Sequence, residues 1–187
     1  MNKDAQMIAQ LHLLFPRRAV KECLTFSNRE KFHIVENELT QKCVIKDEST
    51  NSFRIINPTQ KNIHLLVIDN CFFTSQDTQK RCDCIVFDDR YFCFIELKLD
   101  LSKTKQISER RKEARDQLGA TIEFFRSTVN SKFLDLKPEA YIVLPIREVH
   151  PKHSASRSEV AVAFLEKYGV PLLEKAEKDF SEPTPGN

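Results

Sequence analysis

Cys82-Asp83-Cys84-Ile85-Val86-Phe87, then Asp88-Asp89-Arg90, then Tyr91-Phe92-Cys93-Phe94-Ile95-Glu96-Leu97-Lys98 is the stretch that decides the fold. Two apolar runs of strand length flank three polar residues of turn type, so the segment reads as a β-hairpin. Side chains alternate along a strand, which puts Asp83, Ile85 and Phe87 on one face and Cys82, Cys84 and Val86 on the other. On the second strand Phe92, Phe94, Glu96 and Lys98 share a face, opposite Cys93, Ile95 and Leu97. Both faces are apolar over most of their length, as in a sheet covered by helices on both sides, so the hairpin is expected at the centre of the sheet.

Working outward, the spacing of Met7, Ile8, Leu11, Leu14 and Phe15 predicts a helix over Ala5–Phe15, stopped by Pro16, and a short helical turn follows over Arg18–Phe26. From Lys42 to Asn57, apolar residues on either side of Asp47–Ser52 predict two strands joined by a polar turn. Asn62–Ile68 and Asn70–Phe73 read as extended, and Thr74–Arg81 as a polar loop. Beyond the hairpin, Ile107, Ala114, Leu118, Ile122, Phe125 and Val129 recur at helical intervals in a charged segment, Lys103 to Asn130. Tyr141–Leu144 suits a buried strand. His150–Ser158 is a polar loop, and Glu159–Tyr168 is a second amphipathic helix closed by Gly169. Val170–Leu173 is an edge strand, and Ser181–Asn187, with two prolines and a glycine, is expected to be a disordered tail. Residues 1–180 therefore form a single mixed α/β domain, a central sheet flanked by helices on both faces.

With 41% hydrophobic and 30% charged residues the composition is that of a chain that can fill a core, which excludes intrinsic disorder. Twenty-nine Lys and Arg against 27 Asp and Glu leave a net charge of +2, so a polyanionic partner has to be argued from local clusters. No apolar run reaches the roughly 20 residues of a membrane helix, and no secretory signal is legible at the N-terminus, so no membrane partner and a cytoplasmic location are expected. Six cysteines include no C-x-x-C pair; Cys71, Cys82, Cys84 and Cys93 read as buried thiols rather than zinc ligands, and disulfides are not expected.

Two acids and a lysine on one apolar face are costly, because each buried charge loses several kcal/mol of hydration unless it is paired or metal-bound. A divalent cation between Asp83 and Glu96 would compensate; hard oxygen ligands suit Mg2+, with Mn2+ as a substitute. Lys98, two residues beyond Glu96, points the same way and could help orient an attacking water and stabilise charge on a phosphate oxygen. The competing reading is a structural ion pair at the sheet's end.

Asp83, twelve intervening residues and then Glu96-Leu97-Lys98 at a strand's end resembles the PD-(D/E)XK nuclease superfamily, over roughly Ile63 to Leu144. The resemblance implies a restriction-endonuclease-like α/β/α sandwich that hydrolyses phosphodiester bonds, in DNA more often than RNA. It implies Asp83 and Glu96 as metal ligands and Lys98 as the catalytic lysine. Gln117 matches a glutamine that several members carry on the following helix, whereas Thr121 and Cys82 stand where the best-known version has tyrosine and proline. A third acid is left open among Glu36, Glu38 and Asp69. A homodimer, or a protein partner in a multi-component system for defence or repair, fits such nucleases. Lys103, Lys105, Arg110, Arg111, Lys112 and Arg115 offer a phosphate-contacting stripe, although Glu109, Glu113 and Asp116 interleave as in an ordinary solvated helix. Two other classes stay in play: a nuclease-fold binding or assembly module without catalysis, and a zinc or redox protein using the cysteines.

Overall fold

The computed structural model describes residues 3–16, 20–74, 76–99, 107–128, 136–145 and 155–181. Its helices are α1 (Lys3–Leu14), α2 (Val20–Cys23), α3 (Ile107–Thr128) and α4 (Ala155–Tyr168). The strands are β1 (Leu24–Ser27), β2 (Lys31–Glu36), β3 (Cys43–Lys46), β4 (Phe53–Ile56), β5 (Ile63–Val67), β6 (Cys84–Phe87), β7 (Tyr91–Leu97), β8 (Lys137–Val143), β9 (Leu172–Glu174) and β10 (Glu177–Asp179). A six-stranded mixed sheet runs β1-β5-β6-β7-β8-β9, and a four-stranded sheet runs β10-β4-β2-β3.

The hairpin is where the alternation puts it. Strands β6 and β7 pair antiparallel with Ile85 opposite Phe94 and Phe87 opposite Phe92, in the middle of the large sheet. Every residue of β6 is buried, and so is β7 after Tyr91. Ile85, Phe87, Phe92 and Phe94 pack on the helical side against Leu11 of α1, Leu118, Ile122 and Phe125 of α3, and Phe164 of α4. Cys84, Val86, Cys93 and Ile95 face the other way, against Phe32, Ile34, Phe53 and Ile55 of the small sheet. The mixed α/β sandwich is therefore found, and among the described residues the second face is covered by a sheet rather than by helices. Any apolar layer meets the need to bury that face, so the strand text alone could not say which.

Other departures lie in the N-terminal half. Leu24–Ser27 is a strand rather than the end of a helical turn, because antiparallel pairing with β5 fixes it at the edge of the large sheet. Strands β3 and β4 do not form a hairpin with each other. Both pair with β2, which lies between them with Ile34 opposite Ile45 on one side and Phe53 on the other. Ile68–Phe72 is a wide turn closed by the Phe73 N–H on the Ile68 carbonyl at 2.9 Å, with Asn70 left-handed at φ 59°. This turn carries Cys71 away from the neighbouring strands and onto α2, where it forms a disulfide with Cys23. The expectation of thiols throughout is corrected there, while Cys43, Cys82, Cys84 and Cys93 are free and buried.

Beyond the hairpin the order follows expectation as far as β9, and β10, which pairs in parallel with β4, is an added strand that the sequence reading does not include. Helix α3 connects β7 to the parallel strand β8, and β9 adds in parallel at the edge. Helix α4 ends at Gly169, whose φ of +63° is the left-handed C-terminal stop that glycine adopts without strain. Gly119 on α3 leaves no room for a Cβ against the Tyr168 hydroxyl, which lets the end of α4 seat on α3. The start of the charged segment (100–106), most of the polar loop before α4 (150–154) and the tail from 182 onward lie outside the described residues. Among the described residues no helix is long and apolar enough to cross a membrane.

Candidate active site

Asp83 sits at the bend where the chain enters β6. Its N–H donates to the Ile95 carbonyl at 3.1 Å, and its own carbonyl accepts the N–H groups of Ile68 and Asp69 at 2.9 and 3.1 Å. Strand ends of both β5 and β7 thus fix its backbone. Its carboxylate accepts the Leu97 N–H at 2.5 Å. Glu96, opposite it near the end of β7, is 1% exposed. One Glu96 oxygen, Oε1, lies 2.6 Å from Lys98 Nζ, and the other, Oε2, is buried with no hydrogen-bond partner among the described residues. Lys98 Nζ also donates to Gln117 Oε1 at 2.8 Å, and Gln117 Nε2 donates to the Arg81 carbonyl at 3.0 Å. The four residues expected from the sequence are therefore brought together: the two acids and the lysine at the end of the hairpin, the glutamine across from them on α3.

Several supports were not legible in advance. Thr121, one turn beyond Gln117, accepts the Cys82 N–H at 2.8 Å and donates to the Gln117 carbonyl at 2.9 Å, so α3 holds the strand start beside Asp83. Its spacing of four from Gln117 was the available signal. Arg81 contributes a carbonyl to Gln117 and its guanidinium to Asp69 at 2.5 Å. Arg110 donates to the Lys98 carbonyl, and Arg111 grips Glu174 at 3.0 Å. Both arginines are buried, so these two members of the expected phosphate stripe serve the fold instead. Arg157 lies 3.8 Å from the same Glu174. Lys103, Lys105, His150, Lys152 and His153 fall outside the described residues.

Of the three candidates for a further acid, Asp69 comes nearest in the chain, because its N–H is bonded to Asp83. The charges of Asp69 and Glu36 are both felt at Asp83. Glu36 and Glu38 both line a separate groove at the end of β2 and β3. No cluster of three or more His, Cys, Asp or Glu side chains suited to a metal occurs among the described residues. Asp69, Asp77, Lys80, Arg81, Glu113 and Gln117 line an open groove of about 450 Å³ that leads to the lysine's partner.

The electrostatics are unbalanced. Burial pushes the Asp83 carboxyl up to about 7, only partly opposed by the Leu97 N–H and the Lys98 ammonium, and the Glu36 and Asp69 charges add to the rise. Burial, then the negative charge of Asp83, raises Glu96 well above the carboxylate range. Burial works against the Lys98 ammonium too, but Glu96 and Asp83 beside it outweigh that, and its pKa is raised. One lysine thus serves two acids. A second cation at the free Glu96 oxygen would remove the deficit, and the donor set suits Mg2+ or Mn2+. Two protein carboxylates are few for a caged ion but sufficient for magnesium, which keeps water and substrate phosphate in the rest of its shell.

A pH dependence follows. An acid whose pKa is raised by folding contributes stability below its unfolded value, near 4, and loses it as pH rises through about 7. In chelator, Asp83→Asn should therefore flatten the loss of stability between pH 4 and 7.5 that the wild type shows, by up to ~4 kcal/mol. That figure is an upper bound, because Asp83 retains some exposure and titrates together with Glu96. Urea unfolding across this range measures it, and parallel curves for the two proteins would contradict the assignment.

No known protein-family model, curated protein or solved structure matches the chain. The resemblance to the PD-(D/E)XK nucleases rests on the sequence motif of Asp83, Glu96 and Lys98.

Proposed function

We propose that the protein is a divalent-metal-dependent nuclease, in which Asp83 and Glu96 hold Mg2+ or Mn2+ and Lys98 assists attack of water on a phosphodiester, most readily of DNA. The observation that carries this reading is the buried Glu96 carboxylate beside the Asp83 charge, with one oxygen on Lys98 and the other without a partner among the described residues. A purely structural ion pair would satisfy both oxygens, since an unpaired buried acceptor costs about 1–3 kcal/mol. Held by Asp83 and Glu96, Mg2+ or Mn2+ would supply Lewis-acid stabilisation of charge on the phosphate and would make water a stronger nucleophile. Lys98 keeps its charge, orients the attacking water and donates to a phosphate oxygen as negative charge builds there. Gln117 holds the ammonium from the side opposite Glu96, and Thr121 keeps Gln117 in register with the strand. Water oxygen bonds to phosphorus and releases a proton to solvent, the bond from phosphorus to the leaving sugar oxygen breaks, and that oxygen takes up a proton from solvent.

A second reading, a nuclease-fold module that binds a protein without cleaving, is favoured by the groove itself. It carries the three acids Asp69, Asp77 and Glu113 against Lys80 and Arg81, a poor field for phosphates. Incubating the protein with supercoiled plasmid, single-stranded DNA and RNA separates the two. Metal-dependent cleavage that stops in chelator is expected. Failure to cut any of the three, together with no calorimetric heat of Mg2+ or Mn2+ binding, would overturn the nuclease reading in favour of the module.

A further inference from the structure

Arg81 ends the polar loop before β6 and lines the groove that leads to Gln117. Its backbone belongs to the support of the lysine, because the Arg81 carbonyl accepts Gln117 Nε2 at 3.0 Å and Gln117 Oε1 accepts Lys98 Nζ at 2.8 Å. The side chain is held as firmly. Nε donates to Asp69 Oδ1 at 2.5 Å, Nη1 donates to the Asp77 carbonyl at 2.7 Å, and the guanidinium lies 6.0 Å from the centre of the buried Phe73 ring. Nη2 has no hydrogen-bond partner among the described residues, and the side chain keeps 15% exposure.

Both oxygens of Asp69 are engaged. Oδ1 accepts Arg81 Nε and the Asn70 N–H, the latter at 3.0 Å, and Oδ2 accepts Asn70 Nδ2 at 3.2 Å. Glu96, by contrast, leaves Oε2 without a partner among the described residues. A carboxylate served by protein donors on both oxygens gains less from a metal ion than one with an oxygen left bare. The rest of the groove is no track for a polyanion: Lys80 is paired with Asp116 at 2.8 Å, and Asp77 and Glu113 add negative charge. What the groove offers a phosphate is one directed guanidinium edge, not a broad positive field.

We infer that Arg81 Nη2 binds an oxygen of a substrate phosphate beside the one attacked at Lys98, which makes Arg81 a substrate-binding residue and Asp69 the positioning residue that aims it, in place of a third metal ligand. This rests on the nuclease reading above. An arginine whose fork is already fixed on two sides loses little freedom when it meets a phosphate, and a charge-assisted bond to phosphate is among the stronger single contacts.

The test follows binding of fluorescein-labelled single-stranded DNA to the full-length protein by anisotropy, between about 50 and about 200 mM salt, with Ca2+ in place of Mg2+ to separate binding from cleavage. Arg81→Gln keeps the carbonyl that Gln117 uses. It should weaken binding about tenfold and lower the slope of log affinity against log salt by about 0.7, the share of one phosphate contact on a single strand. Arg81→Lys should keep the wild-type slope yet bind less tightly, since the charge stays and the fork is lost. Asp69→Asn should weaken DNA binding while its calorimetric affinity for Mg2+ stays that of wild type. Wild-type affinity and slope in Arg81→Gln, or wild-type affinity in Arg81→Lys, with cleavage intact, would overturn the phosphate contact and leave the nuclease standing. Loss of Mg2+ binding in Asp69→Asn would make Asp69 a metal ligand and overturn its positioning role. The expected slopes in a protein that cuts nothing with Mg2+ or Mn2+ would sustain the contact and overturn the nuclease. A wild type that neither binds nor cuts would overturn both.

Discussion

Lys98→Ala should lower kcat for phosphodiester cleavage by about 10²–10³-fold, the usual cost of deleting one charge-stabilising donor from a preorganised site. The ammonium touches both the acid on β7 and the glutamine on α3. Its removal takes away the donor and also strands Glu96, which would then hold a proton more tightly and compete less well as a ligand. Arginine should not restore activity. Its planar fork is larger and cannot rotate as an ammonium does between Glu96 Oε1 and Gln117 Oε1, 2.6 and 2.8 Å from the nitrogen. The measurement is initial rate at saturating metal, with circular dichroism to show that the variant folds. Wild-type rates in a folded Lys98→Ala protein would remove the lysine from the chemistry and with it the site assignment.

Phe125→Ala should destabilise the protein by roughly 3–5 kcal/mol, the range found when a large buried aromatic is truncated in a packed core. Phe125 is fully buried on α3, and its ring lies within 6.4 Å, centroid to centroid, of those of Phe15, Phe72, Phe92, Phe94 and Phe124. It therefore joins α3 to β7 and to the turn that carries Asp69. The destabilisation should be about the same with or without Mg2+ in the unfolding buffer of a metal-free protein, since the ring touches neither carboxylate. A midpoint of urea unfolding close to that of wild type would show that this core collapses around the gap, contrary to the interlocked packing seen.

The hairpin and the grouping of Asp83, Glu96 and Lys98 at its end were legible because two signals coincided there. Strict alternation from Asp83 to Lys98 fixed the faces, and charged residues at the end of an apolar run marked the place where the sheet meets solvent. Gln117 is pointed out by the family resemblance alone, and its place on α3 one residue before the buried Leu118 brings it to Lys98. What could not be read were choices made between distant segments. Phe32 to Val35 could equally extend a helix or a strand; only pairing with both β3 and β4 decides it. Cys71 looked like one of a run of core thiols, and a left-handed Asn70 turned it toward Cys23. Arg110 and Arg111 read as a cationic surface, but the carbonyl of Lys98 and the carboxylate of Glu174 draw them inward. Hydrogen bonds between elements, rather than periodicity, decided each of these.

The ten residues from Leu172 to Ser181 visit both sheets: β9 closes the edge of the large one beside β8, and β10 closes the edge of the small one beside β4. Phe180 is then sealed between the sheets, while Arg90, at the tip of the central hairpin, donates to the carbonyls of Phe180 and Ser181 at 2.8 and 3.0 Å. A chain emerging from the ribosome thus makes its central hairpin well before it gains the strands that lace the two layers together, which are complete only after Phe180 has been synthesised. The nascent protein should stay open to proteases, with the inter-sheet core incomplete, until that last segment clears the exit tunnel.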